Sequence, residues 1–305
     1  MSESFADAGH GIVLAYDQLG DPAGIPLVLI AGLGMQLQSW PAEFCELFTA
    51  RAYHIVRFDN RDIGRSTHLR FPPPKPVAML RKRWDPSQYD LADMAADTAG
   101  LLDALGLTSV HLVGASMGGM IAQTVAARYP GRVRSLTSML STTGAARVGR
   151  PALSTWRLML SRPPATRAER IERSVRIFRH IGSAGYPFDE QWVRAAAGES
   201  WDRDPASDGA ARQLAAIIKS GDRTAEVRTI TAPTLVIHGD RDLMVNPTGG
   251  ARTARTIPGA RLETIRGMGH DLPPGAWPAI VDLIDTHVRA AEAATTIRST
   301  DGQEA

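Results

Sequence analysis

Five short apolar runs, at 26–30, 54–58, 110–113, 136–140 and 234–237, constrain this chain more than any other feature. Most are close to continuous in apolar residues rather than alternating, which suits parallel strands covered on both faces. Between them lie segments with helical spacing. In 90–105, Leu91, Met94, Ala95, Thr98, Leu102 and Leu105 share one face, Asp90 can cap the start and Gly106 can end it. A second such segment, 117–129, is stopped by Pro130. Alternation of this kind predicts an α/β fold with a mostly parallel central sheet, right-handed crossovers and flanking helices.

The rhythm breaks between about 144 and 227. Helical patterns at 153–160, 168–181, 190–197 and 209–219 follow one another without clear strands, punctuated by Pro163, Pro164 and Pro205. With 305 residues, 44% of them hydrophobic, the chain can bury one large core. The expected division is a core of 1–143 and 228–294, a helical cap of 144–227 inserted before the next strand, and a polar tail, 295–305, that frays.

Composition narrows the function classes. Thirty-four basic residues against 32 acidic ones give a net charge of +2, too balanced for a dedicated nucleic-acid binder. A single cysteine, Cys45, excludes an internal disulfide and a multi-cysteine metal site. The opening residues lack the basic and apolar regions of a signal peptide, and no apolar run approaches the ~20 residues of a membrane span. The expectation is a soluble cytoplasmic protein. No metal constellation is visible and no Gly-x-Gly-x-x-Gly follows a strand, so neither a metal nor a nucleotide cofactor is expected.

Chemistry concentrates at Gly114-Ala115-Ser116-Met117-Gly118-Gly119, between a strand and a helix. Gly-x-Ser-x-Gly there places the serine on a tight corner, its backbone strained and its hydroxyl exposed at the helix N-terminus. Out of context the pattern is an ordinary glycine-rich turn; the strand before it and the helix after it make Ser116 a candidate nucleophile. A serine hydroxyl needs a base, and the base an orienting acid. His270, in Gly267-Met268-Gly269-His270-Asp271, sits in a glycine-bracketed loop before the last helix and is the candidate base. The candidate acids are Asp240 and Asp242, after the strand at 234–237. Asp242 is favoured because it lies further out, where its side chain can turn towards His270, while Asp240 can hold the turn. His54, His111 and His238 lie in or beside strands and read as core or strand-end residues. In Ala31-Gly32-Leu33-Gly34 the backbone can turn sharply, so that the amides of Leu33 and Met117 form an oxyanion hole, with Gly32 as the alternative to Leu33. The charged run Asp59-Asn60-Arg61-Asp62 reads as a structural network fixing nearby loops.

These strings, together with Asp59-Asn60-Arg61-Asp62-Ile63-Gly64-Arg65-Ser66-Thr67, resemble the α/β-hydrolase superfamily from about Gly20 to Ala290. Within it the chain is similar to the capped serine esterases typified by aclacinomycin methylesterase and to actinobacterial esterases and lipases. The resemblance implies Ser116 as nucleophile, Asp242 as acid, His270 as base, and Leu33 and Met117 at the oxyanion positions. One departure is Ala31-Gly32, where many relatives carry His-Gly. A serine nucleophile implies an acyl-enzyme, hence an ester, thioester or lactone substrate. The competing readings are a perhydrolase or haloperoxidase without cofactor and a non-enzymatic small-molecule receptor on the same fold.

Charge is unevenly placed. From Arg147 to Arg179 nine arginines face only Glu169 and Glu172, and a second cluster, Arg81-Lys82-Arg83-Trp84, lies in a proline-rich loop. Clustered at the pocket mouth, they would suit an anionic membrane surface or an acidic substrate. The plainer reading is a solvated arginine-rich face.

Overall fold

The computed structural model describes residues 3–159, 164–205 and 208–301. Its strands are β1 (Ser4–Asp7), β2 (Val13–Leu19), β3 (Ile25–Ile30), β4 (Tyr53–Phe58), β5 (Val110–Ala115), β6 (Val133–Met139), β7 (Thr234–Gly239) and β8 (Arg261–Ile265). The helices are α1 (Ala42–Thr49), α2 (Pro76–Leu80), α3 (Leu91–Ala104), α4 (Met117–Arg128), α5 (Leu153–Met159), α6 (Arg167–Ile181), α7 (Glu190–Arg203), α8 (Asp208–Ser220), α9 (Thr224–Val227), α10 (Thr248–Thr256) and α11 (Trp277–Asp301). Leu160, Arg162, Pro163 and residues 302–305, which figure in the expectations above, lie outside the described residues.

The strands form one sheet in the order β1-β2-β4-β3-β5-β6-β7-β8. From β4 to β8 every neighbouring pair is parallel. β1 and β2 are antiparallel additions at one edge, unforeseen in the sequence. The apolar runs explain the layering. In β3, Leu27 and Leu29 pack with Phe44, Phe48, Ile280 and Ile284 of α1 and α11. Val28 and Ile30 point the other way, into Met94, Leu101, Ile121 and Val125 of α3 and α4. A strand buried on both sides has no face left for polar residues, hence its continuous apolar character.

Asp90 caps α3 as expected, accepting from the amides of Ala92 and Asp93 while Asp93 returns a bond to the Asp90 amide. Gly106, at φ +66°, closes it, with the Gly106 and Leu107 amides bonded to the Asp103 and Leu102 carbonyls. Helices α5 to α9 fill the stretch between β6 and β7, with no strand among the described residues. α7 runs six residues past the expected 197, through Gly198, where a Cβ would stand 2.5 Å from the Arg167 guanidinium. α11 continues to Asp301, so the backbone at 295–301 is helical.

Buried ion pairs fasten this helical insertion to the sheet. Arg212 of α8 makes a bidentate contact of 2.8 Å per arm with Asp62, which is fully buried. Arg203 of α7 pairs with Asp59, which also accepts from the Leu37 and Arg65 amides. Arg61 pairs with Asp97 of α3. The charged run at 59–62 is therefore the structural network anticipated for it. Removing one member of a buried pair strands the other charge. Arg212→Met is expected to lower the urea-unfolding free energy by about 3–5 kcal/mol, and a loss under 1 kcal/mol would mean that Asp62 finds another partner.

Candidate active site

β5 ends at Ala115 and α4 begins at Met117, leaving Ser116 alone on the corner with φ +57° and ψ −118°. A non-glycine residue there carries strain, and the surroundings enforce it. A Cβ on Gly114 would stand 2.2 Å from the Gly118 carbonyl, and one on Gly118 only 2.0 Å from that of Ile30. Only glycines let α4 pass this close to β3 and β5. The Ser116 amide donates to Met139 and its carbonyl accepts from Met120 and from the Ser141 hydroxyl, which fixes the corner from three sides.

The residues singled out in sequence converge here. His270 Nε2 lies 3.0 Å from Ser116 Oγ, and His270 Nδ1 lies 2.7 Å from Asp242 Oδ2. Asp242 follows β7 and is 2% exposed. Because Nδ1 faces a carboxylate, it carries the proton, and Nε2 is free to accept from the serine hydroxyl. Asp240 is elsewhere: exposed, accepting from the Gly267 amide at 2.7 Å, it ties the loop after β7 to the loop that holds His270.

Four donors surround Asp242. Its Oδ1 accepts from the Met244 and Val245 amides, each at 2.8 Å, and its Oδ2 accepts from His270 and faces His238 Nε2 at 3.3 Å. Burial alone would push this carboxyl up. The positive potential and hydrogen bonds of the two imidazoles outweigh it and hold the pKa down at about 2. Its contribution to stability is thus present above about 4, the ordinary carboxylate value, and is lost as pH falls towards 2. For activity the same fact predicts that Asp242 stays ionised above about pH 4, so the acid limb of log kcat/KM should be no steeper than one proton there. A slope of two in that range would mean Asp242 titrates there as well.

His238 behaves as a core histidine in its burial, at 1% exposed, but its contact with the acid was not anticipated. Its Nε2 also bonds the Val245 carbonyl at 2.8 Å, which assigns that nitrogen the proton. The visible signal was its spacing of four from Asp242 across Gly239.

The turn after β3 abuts the serine. A Cβ on Gly32 would sit 3.4 Å from Ser116 Cβ. Among the described residues, neither the Leu33 nor the Met117 amide has a hydrogen-bond partner, and Met117 opens α4, whose N-terminal dipole favours negative charge. The insertion grips the opposite side: the His270 amide bonds the Ile181 carbonyl at 2.7 Å and the Gly269 amide the Ser183 hydroxyl at 2.9 Å.

Comparison with known proteins agrees with this geometry. A family model described as the alpha/beta hydrolase fold matches residues 25–273. The chain belongs to that family. It is 32% identical over 303 residues to rhodomycin D methylesterase DnrP of Streptomyces peucetius, spanning 92% of this chain and 96% of that one. The corresponding DauP enzyme of Streptomyces sp. strain C5 is equally similar, at 32% over 304 residues. Among solved structures, esterase RhEst1 from Rhodococcus sp. ECU1013 superposes with a TM-score of 0.75 at 22% identity, covering 95% of this chain and all of that one. The enol-lactonase of Burkholderia xenovorans LB400 gives a TM-score of 0.73 at 22% identity, covering 94% of this chain and all of that one. The eight-stranded, mostly parallel sheet flanked by helices is that family's fold.

Proposed function

We propose that the protein is a carboxylic ester hydrolase working through Ser116, His270 and Asp242 and an acyl-enzyme. The observation that carries this reading is the continuous line Ser116 Oγ–His270 Nε2, His270 Nδ1–Asp242 Oδ2. Ser116 Oγ attacks the ester carbonyl while His270 Nε2 takes its proton, and Asp242 stabilises the imidazolium. The Leu33 and Met117 amides receive the oxyanion. Collapse expels the alcohol, which takes the proton back from His270. A water, deprotonated by the same imidazole, then releases the acid and restores the serine. Every step uses protein groups and water, so chelators should leave the rate unchanged.

The helical insertion, 144–227, acts in this reading as a cap whose loop at 181–185 seats His270. The methylesterase relatives put methyl esters first among candidate substrates. A peripheral membrane contact has little support: within the basic stretch Arg167 pairs with Asp202 and Arg179 with Glu190, leaving less unopposed charge than the sequence implied. No described helix is long and apolar enough to cross a membrane.

The test is initial rates on p-nitrophenyl esters of increasing acyl length, with methyl esters and thioesters alongside. Saturable multiple turnover on at least one ester class is expected. Stoichiometric binding without turnover across the panel would favour a small-molecule receptor on this fold.

A further inference from the structure

Between the turn after β3 and helices α6 and α7 lies a cavity of about 80 Å³, room for several waters. Gly34, Met35 and Gln38 form one wall; Arg170, Phe178 and Trp192 are on the other. Met35 links it to the candidate active site, since its Cγ stands 3.8 Å from where a Cβ on Gly32 would be, and Gly32 faces Ser116.

Two polar groups lining this cavity are unaccounted for. Five other arginines of the insertion, Arg167, Arg179, Arg194, Arg203 and Arg212, each hold a carboxylate. Arg170, half-buried, makes no side-chain hydrogen bond or ion pair with any described residue. Burial pushes its pKa below the ordinary guanidinium value, opposed only by the more distant charge of Asp204. Arg173, one turn on, is pushed down by burial and then by the like charges of Arg170 and Arg176. The second group is Gln38 Oε1, buried and without a hydrogen-bond partner. A positive charge withdrawn from water with no counter-ion is costly, and the cost is relieved when an anion arrives.

We infer that this cavity is a substrate subsite in which Arg170 receives an anionic group, a carboxylate on the arm of the ester remote from the scissile bond, with Gln38 Oε1 accepting from a hydroxyl on that arm. The inference rests on the hydrolase reading for the word substrate, but the site is a binding site whether or not turnover occurs. It narrows the substrate class to half-esters and related acidic esters.

The experiment separates the two. Ser116→Ala protein is titrated by NMR with the monomethyl and dimethyl esters of succinate, glutarate and adipate, so that binding is read without hydrolysis. At least one half-ester should bind tenfold or more tightly than its neutral diester, about 1.4 kcal/mol. In Ser116→Ala/Arg170→Met that preference should collapse to within twofold, and Ser116→Ala/Arg170→Lys should retain part of it. Arg170→Lys also guards against a methionine variant that does not fold. Equal binding of half-esters and diesters, or a preference that survives Arg170→Met, overturns the subsite. Turnover of the same esters by the unsubstituted protein is measured separately, so its absence would count against the hydrolase reading alone.

Discussion

Ser116→Ala is expected to reduce ester turnover by roughly five to six orders of magnitude, the scale seen when a triad nucleophile is removed. The chemistry has no substitute, because no other hydroxyl is bonded to His270 Nε2 among the described residues. Folding should be nearly unaffected. The corner is held by the Ser116 backbone and by Gly114 and Gly118, and alanine keeps the Cβ that already occupies φ +57°. Matching thermal unfolding curves with activity at background would fit. Turnover within tenfold of the parent would remove Ser116 from the mechanism.

Asp242→Asn should cost about four orders of magnitude in kcat. An amide NH2 at the Oδ2 position would point a donor at His270 Nδ1 and at His238 Nε2, both of which now donate. The His270 ring would answer by moving its proton to Nε2, the tautomer that cannot accept from serine. Asp240→Asn is the contrast. Its Oδ1 can still accept from Gly267, so kcat should change little and any effect should fall on stability. Parallel kcat values and melts for the two variants decide between the acids, and the reverse pattern would move the role to Asp240.

Much of this was legible in the chain. Apolar runs buried on both faces cannot alternate, so five of the six parallel strands stood out, and the corner was marked by glycines on which a Cβ would stand 2.0–2.2 Å from other backbone. The sequential order serine, acid, histidine then pointed to Asp242 and His270. The edge hairpin did not stand out, because β2 carries Asp17 and Gln18 amid its apolar residues. Asp17 is buried only by virtue of its bidentate partner Arg57, 40 positions away. The same holds for Asp62 and Arg212, a pair 150 residues apart that periodicity cannot register. His238 was hidden for another reason: a histidine at a strand end looks the same whether it merely fills space or touches the acid four residues later. Arg170 was one arginine among nine until the structure paired Arg167 and Arg179 with carboxylates and left Arg170 lining a cavity.

Nucleophilic attack by Ser116 is the step on which the proposed mechanism depends. A fluorophosphonate probe tests it directly, since it is captured only by a serine activated within an oxyanion-binding site. Intact-mass measurement should show one adduct per chain, peptide mapping should place it on Ser116, and its formation should track the loss of ester hydrolysis. An adduct on another residue, or full hydrolysis with Ser116 unlabelled, would contradict it.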